Sequence, residues 1–223
     1  MSSSKEITPV IEEYLECIYK LEERYGVART KDIVNMMKVV PGTVTNTIKL
    51  LERKGLIVHQ PYRGVKLTDK GRKLAIEVIR KHRLSECLLT DILNIEWEKA
   101  HEIACKLEHS LTDEIIKSLE RILNNPKKCP HGNPIPTKCG RIVEEESIPL
   151  TELNIGSQGI IIKIVEEHSD VLQYLSKLGI IPGNIIKVLE KNSINESITL
   201  MIKESCHVIS NKIASIIYVK KLC

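Results

Sequence analysis

The spacing of apolar residues changes period once along this chain, across residues 125–147. Upstream, apolar positions recur three or four residues apart, the repeat of helices that bury one face. Downstream come short β-branched runs, "GIIIKIV", "IIKVLE", "SITLMIK" and "IASIIYVKKL", separated by turns such as "IPGN". The stretch between is rich in Pro, Gly and Lys and reads as a linker. At 223 residues the chain exceeds what one ordinary core needs. The pattern predicts a mainly α protein with a small β module of about 75 residues, a partly open barrel.

The amino-terminal part is the most specific. Ile11, Leu15, Ile18 and Leu21 form a helical stripe that Gly26 ends. "TKDIVNMM" is a short second helix with Thr30 as its N-cap. In "PGTVTNTIKLLERKG", Pro41 suits a first turn, Val44, Ile48 and Leu51 share one face, and Gly55 suits the carboxyl end. "LIVHQPYRGVKLT" then reads strand, turn, strand. Three helices and a β-hairpin in this order make a winged helix-turn-helix, whose third helix enters a DNA major groove.

Charge agrees with that reading. Residues 26–75 carry eleven Lys and Arg against three acidic residues, a net +8. The whole chain carries +4, so the remainder is −4. A basic segment on a mildly acidic body points to a polyanion, although a solvated lysine-rich face gives the same balance. Thr43, Thr45, Thr47 and Lys49 on the third helix face phosphates, Asn46 is the residue to touch a base edge, and Tyr62 and Arg63 in the wing reach the adjacent backbone. Each threonine alone is equally compatible with ordinary helix surface.

Thr68 caps a long helix running to about residue 93, and two more follow, around 96–109 and after Thr112. So much apolar helix surface with no sheet to cover implies a subunit interface, hence a homodimer. No run of about 18 apolar residues occurs, so no membrane span is expected. Seven scattered cysteines and no secretory signal point to free thiols in a reducing cytoplasm.

The chemistry concentrates on two successive helices. His101, Cys105, Glu108 and His109 fall within an arc of about 100° on one of them, and His82 and Glu86 stand one turn apart on the other. Burying such a face without a partner is costly, and a bound cation supplies one. From His101 to His109 is roughly 12 Å along a helix, too long for a single ion. Divided by height, His82, Glu86 and His101 make one site, and Cys105, Glu108 and His109 the other. The alternative is a solvated polar face.

"CPHGNPIP" (129–136) followed by Cys139 invites a zinc reading. It offers three soft ligands where structural zinc almost always takes four, and its prolines make it a stiff turning segment, a hinge closing the helical unit.

"RKHRLSECLLTDIL", "HEIACKLEHSLTDEI" and "GNPIP", together with the winged helix, resemble the diphtheria toxin repressor family of iron- and manganese-dependent regulators, over nearly the whole chain. The resemblance implies a winged-helix DNA-binding domain (1–75), a helical metal-binding and dimerisation domain (76–140), a linker (141–147) and an SH3-like, or FeoA-like, β-barrel (148–223). It implies metal at His82, Glu86 and His101, and a second site at Cys105, Glu108 and His109 completed by Glu13 of the first helix. Iron-type members usually carry methionine at that position, and manganese-type members an acidic pair, which Glu13 and Glu16 reproduce. Cys105 is the iron-type choice, so the chain is a hybrid, with Fe(II) expected, Mn(II) as the alternative and other divalent ions binding in vitro. In the family's β module a Glu and a Gln can reach a metal. The matching positions here are His168 and Val171; valine cannot ligate, which leaves Glu167, His168 or Asp170 as substitutes.

The expected function is a metal-activated repressor of iron homeostasis, a symmetric dimer on a double-stranded, palindromic operator. It needs no small-molecule substrate and no catalytic residue. The competing readings are a manganese regulator, a redox sensor using Cys105, and a dinuclear metalloenzyme, against which no nucleophile or general base stands beside the ligands.

Overall fold

The computed structural model describes residues 7–60, 63–166 and 168–222, so Tyr62 of the wing and Glu167 lie outside the described residues. The chain divides into two compact units, one of residues 1–81 with 136–141, the other of residues 82–135 with 142–223.

In the first unit, α1 (Pro9–Tyr25), α2 (Thr30–Met37) and α3 (Pro41–Arg53) precede the hairpin of β1 (Ile57–Gln60) and β2 (Gly64–Leu67). Thr8 accepts from the Ile11 amide at the start of α1, and Gly26 closes it in the left-handed conformation. Thr30 is the first helical residue of α2, not its cap; Arg29 holds the cap position and makes no side-chain cap bond. Val40 occupies the cap position of α3, so Pro41 stands at the first helical residue, where its missing N–H costs nothing. The hairpin pairs Ile57 with Leu67 and Gln60 with Gly64. Leu15, Ile18, Ile33, Val44, Leu51, Leu56 and Val65 are buried, and the outer face of α3 is left to solvent. Glu22 accepts from the Leu67 amide at 2.7 Å and from Arg72 at 2.6 Å, which ties α1 to the end of the hairpin and the start of α4 (Asp69–Cys87).

The second unit combines the last turns of α4 with α5 (Trp97–Leu107), α6 (Asp113–Ile122) and a sheet. The long helix expected to reach residue 93 is α-helical only to Cys87; Leu88–Ile92 widen into a π-helical turn closed by the Leu93 amide on Leu88. The helix expected at 96–109 ends at Leu107, and Glu108–Ser110 tighten into a 3₁₀ turn. Thr112 caps α6 by accepting from the Ile115 amide.

The sheet contains β3 (Ile148–Pro149), β4 (Gln158–Ile164), β5 (Ile185–Asn192), β6 (Ser197–Ile202), β7 (Ser205–Ser210) and β8 (Ile217–Lys221), in the antiparallel order β3-β8-β4-β5-β6-β7. The module is SH3-like, but the expected barrel is not closed: among the described residues the two-residue β3 and the edge strand β7 do not pair. Leu172 and Leu175 of α7 (Ser169–Lys177) and Ala214 of α8 (Asn211–Ala214) join the sheet's buried cluster.

The expected linker is also different from a free tether. Residues 129 and 131–136 are buried, and Cys129 and Ile135 belong to the hydrophobic cluster of Leu84, Leu111, Ile116 and Leu119. Glu144 and Glu145 are paired with Lys163 and Lys128. No described helix is long and apolar enough to cross a membrane.

Candidate metal centre

His82 is the buried centre of a polar cluster made by α4, α5 and the 3₁₀ turn. Its Nδ1 lies 2.6 Å from Glu108 Oε2, and its Nε2 lies 3.0 Å from both Glu86 Oε1 and His101 Nδ1. Cys105 Sγ is 3.6 Å from His101 Nε2 and 4.0 Å from His82 Nδ1. The spacing of His82 and Glu86, one α-helical turn apart, puts both on the same face of α4. The tightening after Leu107 puts Glu108 in contact with His82, leaving His109 Nε2 3.5 Å from Glu108 Oε1.

Those contacts assign the protons. Both nitrogens of His82 face carboxylates, which can only accept, so the ring donates from both. His101 Nδ1 faces both His82 Nε2 and, at 3.4 Å, Glu86 Oε1, while its Nε2 faces the Cys105 sulfur. Burial alone pulls the His82 pKa down, but the charge of Glu86 and the hydrogen bonds to Cys105, Glu108 and Glu86 hold it well above the ordinary imidazole value. Burial alone raises the Glu86 carboxyl; the His82 charge and the hydrogen bonds from His101, His131 and His82 hold it well below the usual carboxylate range. Burial likewise opposes ionisation of Cys105, and the two imidazoles outweigh it, lowering the thiol.

A second convergence was not anticipated from the sequence. His131, fully buried, places Nδ1 3.1 Å from Glu86 Oε1, and its Nε2 donates to the Trp97 carbonyl at 2.9 Å. That carbonyl can only accept, so Nε2 carries a proton, and Nδ1 meets the same Glu86 oxygen that His82 contacts. Cys129 completes the group: donor atoms of Glu86, Cys129 and His131 all lie within 4.8 Å of one another, as do those of His82, His101 and Cys105. Glu86 Oε2 is buried without a hydrogen-bond partner in the described structure. Thiolate, imidazole and carboxylate donors, with an orphaned buried carboxylate oxygen, fit a borderline divalent transition ion.

The three donors expected at one site do converge, with His82 Nε2, His101 Nδ1 and Glu86 Oε1 within 3.4 Å of one another, and further donors crowd against them. Cys105 converges with His82 and His101, and Glu86 faces both groups. The signal for the second group was the "CPH" of residues 129–131, set aside because Cys139 was counted as its third ligand and no fourth was near. Cys139 is exposed beside Thr137, and Glu86 supplies the missing donor from α4.

The remaining expected ligands are placed as follows. Glu13 is exposed on α1, and Glu16 pairs with Lys20 at 3.0 Å, both in the first unit. His168 and Asp170 stand exposed at the start of α7 and enter neither converging group among the described residues, while Val171 packs on the sheet core. On the DNA-binding side, Thr43, Thr45, Asn46, Lys49 and Arg63 are exposed, and Thr47 half-buried. Thr45 and Thr47 hydroxyls donate to the carbonyls of Pro41 and Thr43, one turn back.

Comparison with known proteins identifies the domains that carry this site. Residues 6–65 match the iron dependent repressor N-terminal DNA binding domain, residues 68–137 the iron dependent repressor metal binding and dimerisation domain, and residues 148–221 the FeoA domain. The iron-dependent repressor IdeR of Mycobacterium tuberculosis is 35% identical over 195 residues, covering 82% of this chain and 85% of that protein. The diphtheria toxin repressor of Corynebacterium diphtheriae is 39% identical over 132 residues, 59% of this chain and 58% of that one. Among solved structures, a manganese-dependent transcriptional repressor in complex with manganese superposes with a TM-score of 0.86 at 27% identity, covering 95% of this chain and all of the other. ScaR with bound Cd2+ gives 0.85 at 33% identity, over 95% of this chain and 99% of that one. On sequence, on domain content and on fold, the chain belongs to the iron-dependent, or diphtheria toxin, repressor family.

Proposed function

We propose that this protein is a metal-dependent, DNA-binding transcriptional repressor. The observation that carries the reading is the buried His82, held between Glu86 and Glu108 and beside His101 and Cys105. A core rarely keeps so many ionisable groups together unless a cation is meant to join them. Protonated at both nitrogens, His82 carries one positive charge against two carboxylates, which leaves negative charge for a cation to meet.

Two positions take metal in this proposal. His82, His101 and Cys105 hold one, with Glu108 and His109 adjoining. Glu86, Cys129 and His131 hold the other. Glu13 and Glu16 are retained as donors supplied by the DNA-binding unit, whereas His168 and Asp170 are not needed. A divalent cation bound there supplies the positive charge that the carboxylates and thiolates face. The thiolates favour Fe(II) or a later ion, and the carboxylates equally accept Mn(II). Fe(II) is the preferred assignment; Mn(II) is the second reading, favoured by the manganese-dependent repressor that shares the fold.

α3 and the wing supply the DNA contacts. Thr43, Thr45, Thr47 and Lys49 of α3 and Arg63 of the wing meet phosphates, and Asn46 meets a base edge. Ile92, Leu93, Ile103, Ile115 and Ile122 are large apolar side chains left exposed on the helical segment, and they give a dimer its contact surface. Two copies present two recognition helices, which suits a palindromic operator.

The reading is tested by substituting one thiolate in each group. Cys105→Ala and Cys129→Ser should each raise the metal concentration needed for DNA binding, without changing DNA affinity at saturating metal in the less affected variant. Unchanged metal response in both variants contradicts the assignment.

A further inference from the structure

The hairpin of the first unit is wider than its two strands. Ala28 and Val65 form an antiparallel bridge: the Ala28 amide donates to Val65 at 3.1 Å and the Val65 amide to Ala28 at 2.9 Å. Residues 27–29 therefore extend the sheet beyond β2. Gly64 permits the approach, since a Cβ there would stand 2.6 Å from the Ala28 carbonyl oxygen, and its φ is +125°. Ala28 and Val65 are buried, so alternation turns their neighbours Arg29 and Lys66 to the opposite face, where both are exposed. With Tyr25, Val27, Gln60 and Arg63 they line a cleft that no α3 residue enters.

The charge of this cleft is uncompensated. Arg29, Arg63 and Lys66 form no salt bridge among the described residues, and no carboxylate lines the cleft. On α1, Glu22 and Glu23 are both engaged by Arg72, and Glu22 also by the Leu67 amide. Arg29 holds the cap position of α2 without a side-chain cap bond, so its guanidinium is not committed to the helix end. Three cations beside a tyrosine and a glutamine are the side chains that hold phosphate oxygens on a duplex.

We infer that this cleft grips the sugar-phosphate backbone of DNA outside the base pairs read by α3, with Arg29 and Lys66 as phosphate contacts. The order of the elements sets the location. β1 packs against α3, with the His59 amide 3.4 Å from Glu52; β2 comes next, and residues 27–29 lie beyond it. Neighbouring strands stand about 4.8 Å apart, so the outermost lies about 10 Å from β1 on the side away from α3. A duplex with α3 in its groove reaches Arg29 and Lys66 only by running past the bases that α3 reads. Such a contact carries no base information; it adds affinity, adds salt dependence and lengthens the footprint. The inference rests on the DNA-binding reading proposed above.

The experiment uses the full-length, metal-loaded protein and a duplex selected by it from a random pool. One form of the duplex ends at the selected bases, and the other is extended by about one helical turn, roughly 10 base pairs, at each end. On the extended form, Arg29→Gln and Lys66→Gln should each weaken binding about tenfold per subunit at about 0.1 M salt. Each should also lower the salt slope by about one per subunit, with base preference unchanged. On the short form neither should change the affinity. Arg29→Lys, which restores the charge, should recover most of the loss. Urea unfolding checks that each variant is folded under the binding conditions. Wild-type affinity and salt slope in both glutamine variants on the extended duplex overturn the inference. Equal losses on the two duplexes also overturn it, since the residues then act within the half-site or through the fold. Failure of the wild-type protein to bind either duplex with metal overturns the DNA-binding reading, and the inference with it.

Discussion

His82 Nδ1 and Glu108 Oε2 lie 2.6 Å apart in a place that water does not reach, joining α4 to the 3₁₀ turn after α5. Removing one member of a buried charged pair leaves the other without compensation, at a cost of about 3–5 kcal/mol. His82→Ala, which takes the nearest cationic partner from both Glu86 and Glu108, is expected to destabilise the metal-free chain by about that amount, measured by urea denaturation. His82→Gln keeps a donor and should lose less.

His82 and Glu86 together predict opposite pH trends with and without metal. The His82 pKa is raised on folding, so its contribution is complete below the ordinary value of 6.5 and is lost as pH rises through the folded value. Glu86 is shifted down, so its contribution is present above 4.5 and is lost as pH falls through its depressed value. Metal-free stability should therefore decline on the alkaline side. Metal affinity should increase in that direction, because ligands must shed protons to bind. Calorimetry of metal binding in buffers of different ionisation enthalpy should show protons released.

How much of this could be read before the structure depends on where each contact is made. The winged helix was legible, because its stripes, its first-turn Pro41 and its left-handed Gly26 are local signals. Thr68 also was, accepting from the Gly71 amide as a cap does. The π turn at Leu88–Ile92 and the 3₁₀ turn at Glu108–Ser110 were not, since their residues fit a continuous α-helical pattern and tertiary packing decides the register. The convergence of His82, Glu86 and His101 on α4 and α5 was legible from spacing, but the approach of Cys129 and His131 to Glu86 was not. "CPHGNPIP" looked like a hinge because Pro, Gly and Asn normally lie at the surface. His131 and Asn133 are buried only because Trp97 and β4 supply their hydrogen bonds, and nothing in their local sequence announces those partners.

Thiol chemistry separates the cysteines. Burial pushes the Cys17 and Cys87 thiols up to about 12, so both should remain unreactive in the native chain. Cys139 and Cys206 are exposed, and the Thr137 hydrogen bond lowers the Cys139 thiol, so both should react quickly with a disulfide reagent. Cys105 should react without metal and be protected by it. Mass-spectrometric mapping of the labelled sites tests all five assignments together.

On the DNA side, Asn46→Ala should relax base preference at one operator position, costing about 1–3 kcal/mol there. Lys49→Ala should weaken binding evenly across sequences and reduce the salt slope by about one. Binding isotherms against a panel of single-base operator variants at several salt concentrations distinguish the two effects.

The central claim, that metal makes this chain competent to bind DNA, is tested most directly by anaerobic binding to a duplex selected from a random pool by the metal-loaded protein. Affinity and bound metal are measured on the same samples across Fe(II), Mn(II) and EDTA. The account predicts tight binding of a dimer carrying two metal ions per chain, and its loss in EDTA. Equal affinity with and without metal, or tight binding at zero stoichiometry, contradicts it.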